Sequence, residues 1–361
     1  MSGYNPENER VKKQYEEALL HGRHRAPRSV EKVWKAINLF EQYTDQKSFK
    51  SFDREQAKGF KRWLTKQENA KGQPLSLSTV RSTLANIRDF ISWLVTHPQY
   101  TKRVDGLGID YLRLSDNEER AGRATREKIP PTVPEIRRVL ENMPYETDIE
   151  KRDRAIVAFI LITGVRDGAL ISLKHKDVDL DKREVWQDPK HVKTKNRKGI
   201  TSQFIRIDSF ATAIVEEWLA YSRGALGMKP DNSLFPKQQV ANNPTKLMFE
   251  VSGLSTEHWA NATPVREIFH KAFIAAGLPK CQPHTVRNTI AIWGIENLSQ
   301  LQFKALSQSL GHEHAMTTYN SYGNLPHYDV RKALASIGKG SPNLTHLPTE
   351  ALLVELTNRT K

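Results

Sequence analysis

The sequence has one cysteine in 361 residues, Cys281, which excludes a disulfide framework within the chain and points to a reducing compartment. It has no apolar run near the roughly 18 residues that suggest a membrane span. Its N-terminus, MSGYNPENERVKKQYEEALL, has no signal-peptide core, so a cytoplasmic, nucleoid-associated location with no membrane partner is expected. Acidic residues are also short. Lys and Arg number 55 against 41 Asp and Glu, a net charge of +14. A field of that sign favours polyanions, nucleic acid above all, although a solvated basic surface has the same composition. Hydrophobic content of 38% is enough for a folded soluble protein, and the length suits about two domains.

Asn5-Pro6-Glu7 reads as a cap with proline in the first turn of a short helix reaching about Leu20. Basic HGRHRAPR (21–28) follows as a connection. Three helical stripes come next. Ser29 is the expected cap of one carrying Val30, Val33, Ile37 and Phe40. Asp53 and Gln56 have capping-box spacing before Ala57, Phe60 and Leu64. Ser78 is the expected cap of the third, with Val80, Leu84, Ile87, Ile91 and Leu94. Arg28, Lys58, Arg62, Arg81 and Arg88 lie off these stripes and are candidate DNA contacts. The charged, proline-bearing SDNEERAGRATREKIPPTVPEI (115–136) reads as a linker.

Beyond it, RDRAIVAFILITG (152–164) is apolar nearly all round, the pattern of a buried helix running into Val165-Arg166-Asp167-Gly168. REVWQ, HVKTK and SQFIRI read as three short strands, with KNRKGITS as a basic turn whose Arg197 and Lys198 join the candidate DNA contacts. The stretch 223–263 reads as irregular. Helical patterns resume at 210–221, 264–276, 284–296 and 299–310. A short apolar helix is expected within 349–360, beyond the Gly/Ser/Pro break at 338–342.

The polar residues interrupting this second region form a set. Arg166 follows the buried helix. His284 and Arg287 are three apart at a helix start and are expected to share a face. His312 follows Leu310-Gly311, and Tyr319 and Tyr322 follow in LGHEHAMTTYNSYGNLP. Two guanidiniums can hold one phosphate and stabilise the charge of a pentacoordinate transition state. A tyrosine oxygen can be the nucleophile, and a lysine can protonate the leaving alkoxide. No metal or other cofactor is required. His312-Glu313-His314 is a poor metal site, because residues two apart diverge on a helix.

TGVRDGALISL, HVKTK, HTVR and LGHEHAMTTYNSYG stand in the order seen in tyrosine recombinases, the phage-integrase family, and the sequence resembles that family over nearly its whole length. The resemblance implies a mainly α fold with a small antiparallel sheet, in two domains closing on duplex DNA as a C-shaped clamp. It implies an N-terminal arm over 1–24, a SAM-like core-binding domain over 25–114, a linker over 115–134 and a catalytic domain over 135–338. A tail helix over 339–361 would pack on its own or a neighbouring protomer. It also implies site-specific recombination through a 3′-phosphotyrosyl link, in a homotetrameric synapse, with accessory DNA-bending or directionality factors as further partners. Arg166, Arg287 and His312 then hold the phosphate, and His284 assists proton transfer. Lys195 or Lys193 is the general acid. Lys195 is preferred, and both are placed on one face of a strand. Tyr322 is the nucleophile, from the Ser-Tyr-Gly ending and the helix stop at Gly323. The sequence departs from the family in having Ala169 where an acid commonly follows the first arginine, and in placing Tyr322 one residue further from His312 than is commonest. A type IB topoisomerase-like relaxing enzyme and a non-catalytic DNA-binding protein are the other classes; a mobile-element integrase fits better than a host dimer-resolution enzyme.

Overall fold

A computed structural model describes residues 5–123, 129–194, 197–243 and 248–312. The chain divides into two compact units, Met1–Arg126 and Glu127–Lys361. Both are mainly helical, with small antiparallel sheets in the second.

The first unit holds α1 (Pro6–Glu17), α2 (Pro27–Thr44), α3 (Arg54–Leu64), α4 (Leu77–Thr96) and α5 (Asp116–Arg123). Asn5 caps α1 as expected, its side chain accepting from the amides of Glu7 and Asn8. Asp53 accepts from the Gln56 amide at 2.7 Å to start α3. Two starts differ from expectation. The second helix opens at Pro27, before Ser29, because proline's fixed φ suits a first turn. The cap of α4 is Ser76, not Ser78; it accepts from the Thr79 amide at 3.2 Å. The three stripes read from sequence are all buried. Between them lies an aromatic core in which Phe40 meets Phe60 edge-on and Phe49 meets Phe90 edge-on, each pair with ring centroids 5.0 Å apart. The expected linker is not featureless: Ser115 donates to and accepts from Glu118 and so caps α5, which packs on α4.

The second unit holds α6 (Val133–Asn142), α7 (Asp148–Thr163), the single turn α8 (Asp167–Leu170), strands β1 (Val178–Asp179), β2 (Glu184–Gln187) and β3 (Ile200–Gln203), and α9 (Ser209–Gly224). After them come β4 (Gln238–Asn243), β5 (Met248–Leu254), α10 (Thr263–Ala275), α11 (Pro283–Asn297) and α12 (Gln300–Ser309). A reciprocal Thr147–Glu150 capping box starts α7, which is buried from Ala155 to Thr163 and forms the centre of the core. Each buried Ile, Leu or Phe there contributes roughly 1.5–3 kcal/mol. Strand β2 is central in an antiparallel sheet, pairing Val178 with Val185 and Trp186 with Thr201.

Three expectations fail here. SQFIRI is a strand only at Ser202 and Gln203, because β3 begins at Ile200 within the expected turn. HVKTK is not a strand over its described residues 191–194. The amides of His191 and Val192 both reach back to the Asp188 carbonyl, at 3.2 and 2.7 Å, making a turn where a ladder was expected. The stretch 223–263 is not irregular throughout, since β4 and β5 form an antiparallel hairpin with a bulge at Gln239/Val240.

Candidate active site

Gly164 ends α7 in the left-handed conformation, φ +60. A side chain here would be strained and would also displace a neighbour. A Cβ would lie 2.2 Å from Leu310 Cδ2 and 3.7 Å from Arg287 Nη1. The close approach therefore brings three of the sequence motifs to one place: the turn leading to Arg166, helix α11 with Arg287, and the end of α12 with Leu310-Gly311-His312. Arg287 is buried, and its Nη2 donates to the Leu310 carbonyl at 2.9 Å. Gly311 has φ +72, and a Cβ there would stand 2.8 Å from Ile200 Cδ1 of β3. At both positions the left-handed backbone and the close neighbour favour glycine.

The end of α12 is also bolted to the sheet. Ser202 Oγ donates to the Ser309 carbonyl and the Gln203 amide donates to Ser309 Oγ, both at 2.8 Å. Gln187 Nε2 donates to the same Ser202 Oγ at 2.8 Å. Downstream, the His312 amide reaches the Ser307 carbonyl at 3.1 Å, which turns the chain out of the helix. His312 and Arg166 are half-buried. His284, one turn before Arg287 on α11, is exposed, so these two differ in environment despite their spacing.

The turn after Arg166 is braced from α10. Arg266 Nε donates to Asp167 Oδ2 at 2.8 Å, and Nη2 lies 2.7 Å from the same oxygen as an ion pair. Ala169, in the place of the absent acid, is buried. Lys193 is exposed, with its amide on Ser172 Oγ at 2.9 Å and its Nζ on the Ala260 carbonyl at 3.3 Å. Its carbonyl lies 3.9 Å from where a Gly168 Cβ would be, so the lysine segment lies against the Arg166 turn. Lys195, Tyr319 and Tyr322 lie outside the described residues, as do Glu313, His314 and the tail.

The phage integrase family model matches residues 132–327, more than half of the chain, and the phage integrase SAM-like domain model matches residues 10–93. The chain belongs to the phage integrase family. Tyrosine recombinase XerC of Lactobacillus leichmannii is 26% identical over 253 residues, covering 69% of this chain and 73% of that protein. XerC of Halalkalibacterium halodurans is 27% identical over 186 residues, covering 51% of this chain and 54% of that protein. Among solved structures, a lambda integrase dimer bound to a COC′ core site matches with a TM-score of 0.61 at 11% identity, over 88% of this chain and 96% of that one. The Tn1549 transposon integrase in complex with transposon right end DNA matches with a TM-score of 0.60 at 15% identity, over 91% and 99%. The likeness to these two is one of fold. As a tyrosine recombinase, this integrase-family chain cleaves and rejoins DNA.

The candidate DNA contacts of this integrase-family chain are spread over both units. On α3, Lys58 pairs with Glu55 at 2.8 Å and lies over the Tyr111 ring, while Arg62 is exposed. On α4, Arg81 and Arg88 line a cavity of about 220 Å³ together with Arg113 and Glu119. Arg197 and Lys198 are exposed before β3, beside Gly199, where a Cβ would meet the Trp186 ring at 2.8 Å. The side chain of Arg28 lies outside the described residues.

Sequence reasoning missed the supports. Ser202, Ser309, Asp167 with Arg266, and Asp177 with His191 are all polar pairs far apart in sequence, with no local motif to mark them.

Proposed function

We infer that the chain is the integrase of a mobile genetic element and carries out integration and excision by strand exchange. The observation that carries this reading is the meeting of the Arg166 turn, Arg287 and the Leu310-Gly311-His312 segment around Gly164. Three groups able to grip a phosphate share one neighbourhood on a scaffold fixed by polar joints.

In this reading duplex DNA is the substrate, held by a helical unit and a catalytic unit closing as a clamp, with four protomers in the synapse. Arg166, Arg287 and His312 hold the scissile phosphate. Tyr322 Oη attacks phosphorus as the P–O5′ bond breaks. His284 takes the phenolic proton, and Lys195, or Lys193 in its place, delivers a proton to the departing O5′. The products are a 3′-phosphotyrosyl link and a free 5′-hydroxyl. The phosphodiester's energy is retained in the link, so ATP is not needed for rejoining. The arginine pair supplies the charge stabilisation that a metal would otherwise give. The DNA-bound state of the lambda and Tn1549 integrases supports the assignment of a DNA partner. Phosphate contacts in both units would make affinity fall steeply with salt.

The test uses duplexes with a randomised centre, nicked so that cleavage traps the protein. Those captured by the wild-type chain in EDTA are sequenced and resynthesised as the substrate. Tyr322→Phe should abolish the covalent adduct and Tyr319→Phe should leave it. The reverse result would move the nucleophile to Tyr319, and loss of adduct in EDTA would remove the metal-free scheme. Paired sites that yield relaxed plasmid but no recombinants would point to a topoisomerase and sink the integrase reading.

A further inference from the structure

The segment that carries the candidate general acid is anchored by groups the mechanism does not use. Residues 188–194 fold as a tight turn. The Asp188 carbonyl collects the amides of His191 and Val192, and Asp188 Oδ1 accepts from the Lys190 amide at 2.9 Å. Val192 is buried in the core. On either side of it stand two tethers. One is the Lys193 amide on Ser172 Oγ at 2.9 Å, and Ser172 follows α8, the turn that begins at Arg166. The other is His191 Nε2, which lies 2.9 Å from both oxygens of Asp177. Asp177 is buried, and its Oδ2 is already fixed by the Lys174 amide at 2.8 Å. A carboxylate so buried needs its hydrogen bonds satisfied, and the His191 N–H is the one that joins it to the lysine segment.

We propose that His191, through Asp177, is the positioning residue that holds the lysine-bearing segment where its ammonium can protonate the leaving O5′. This rests on the recombinase mechanism above. The turn has no strand partner over residues 191–194, so these tethers do what a β-ladder does elsewhere. A general acid contributes roughly 10²- to 10⁴-fold, and a misplacement of about 1 Å is enough to lose much of that. The bond changes are those of cleavage itself: Tyr322 Oη–P forms, P–O5′ breaks, and the lysine ammonium proton ends on O5′. His191 neither gives nor takes a proton in this step.

The leaving atom provides the test. A 5′-bridging sulfur leaves as a stable thiolate and needs no acid, so a fault confined to proton delivery disappears on it. The duplex selected with the wild-type chain is made in two versions, with oxygen or with sulfur at the bridging position. Cleavage is followed in single turnover at saturating protein. His191→Ala should slow the oxygen substrate at least tenfold and the sulfur substrate less than threefold. His191→Gln, whose amide can still donate to Asp177, should recover most of the oxygen rate. Lys193→Ala and Lys195→Ala set the scale, and the true general acid should show the same selective loss. Equal loss on both substrates in His191→Ala would mean a general fault of folding or DNA binding and would overturn the proposal. Unchanged rates on both would overturn it as well. Absence of any adduct from the wild-type chain on either version would instead bring down the recombinase mechanism beneath it.

Discussion

Lys12 in the first unit and Arg287 in the second are both buried cations, and they sit in different settings. In the first, Lys12 Nζ sits 2.7 Å from Glu41 Oε2, with both side chains nearly inaccessible, and Asn8 Nδ2 donates to the other carboxylate oxygen at 3.1 Å. Burial works against the ammonium, but the hydrogen bonds it donates to Glu41 and Glu9 hold its pKa above the ordinary lysine value. The pair is close to neutral and joins α1 to α2, so it belongs to the scaffold. In the second, the Arg287 guanidinium is equally buried, and its Nη2 donates to the Leu310 peptide carbonyl beside Gly164, two residues before Arg166. A buried cation matched by a carboxylate is a structural joint. One that stands beside Gly164, where the site motifs meet, is placed to act on a ligand.

That contrast can be broken by the same substitution at both places. Lys12→Met leaves Glu41 buried without its cation and should cost about 3–5 kcal/mol, read as a lowered denaturation midpoint of the first unit. Arg287→Met should cost cleavage roughly 10²- to 10³-fold, the scale for removing one transition-state donor. Its loss of cleavage should exceed what its shift in denaturation midpoint accounts for, because a site residue acts on the transition state. If Arg287→Met unfolds the second unit as severely as Lys12→Met unfolds the first, the guanidinium is a structural joint too.

A smaller effect sharpens the comparison through a group that is buried neutral. Both ring nitrogens of His175 are buried without a hydrogen-bond partner among the described residues. Burial, helped by the nearby Arg223 guanidinium, pushes its pKa down from 6.5 to about 4. Folding therefore favours the uncharged ring. The contribution is complete above pH 6.5 and is lost as pH falls from there towards about 4. His175→Leu should flatten this part of the stability curve, with a gap to the wild-type curve of roughly 1 kcal/mol at pH 5 after solvent screening. Parallel curves for the two proteins from pH 7 to pH 5 would remove His175 as the cause.

The helical framework was legible because its signal is local. Val30, Val33, Ile37 and Phe40 repeat at helical spacing, and Asn5 and Asp53 are caps whose partners lie within three residues. In LSLSTV two serines, Ser76 and Ser78, compete to cap α4, and the sequence alone does not rank them. HVKTK alternates like a strand, but its backbone donors are taken by Asp188 and Ser172, and the second is 21 residues away. The hairpin of β4 and β5 went unseen because QQVANN is polar and poor in β-branched residues, so pairing rather than propensity makes it a strand. At the candidate site the motif residues were visible in order. What seats them, Ser202 under Ser309 and Asp177 beside His191, spans 107 and 14 positions and has no periodic signature.

The solitary cysteine has a practical consequence. Cys281 is 3% exposed, and burial pushes its thiol pKa up to about 12, so at neutral pH almost none of it is the reactive thiolate. The wild-type protein is therefore close to a blank background for maleimide chemistry. A cysteine introduced at exposed Arg62 on α3 and another at exposed Lys304 on α12 would accept a dye pair without first removing the native thiol. Energy transfer between the dyes would then report, in solution, how far the two units move when DNA is added.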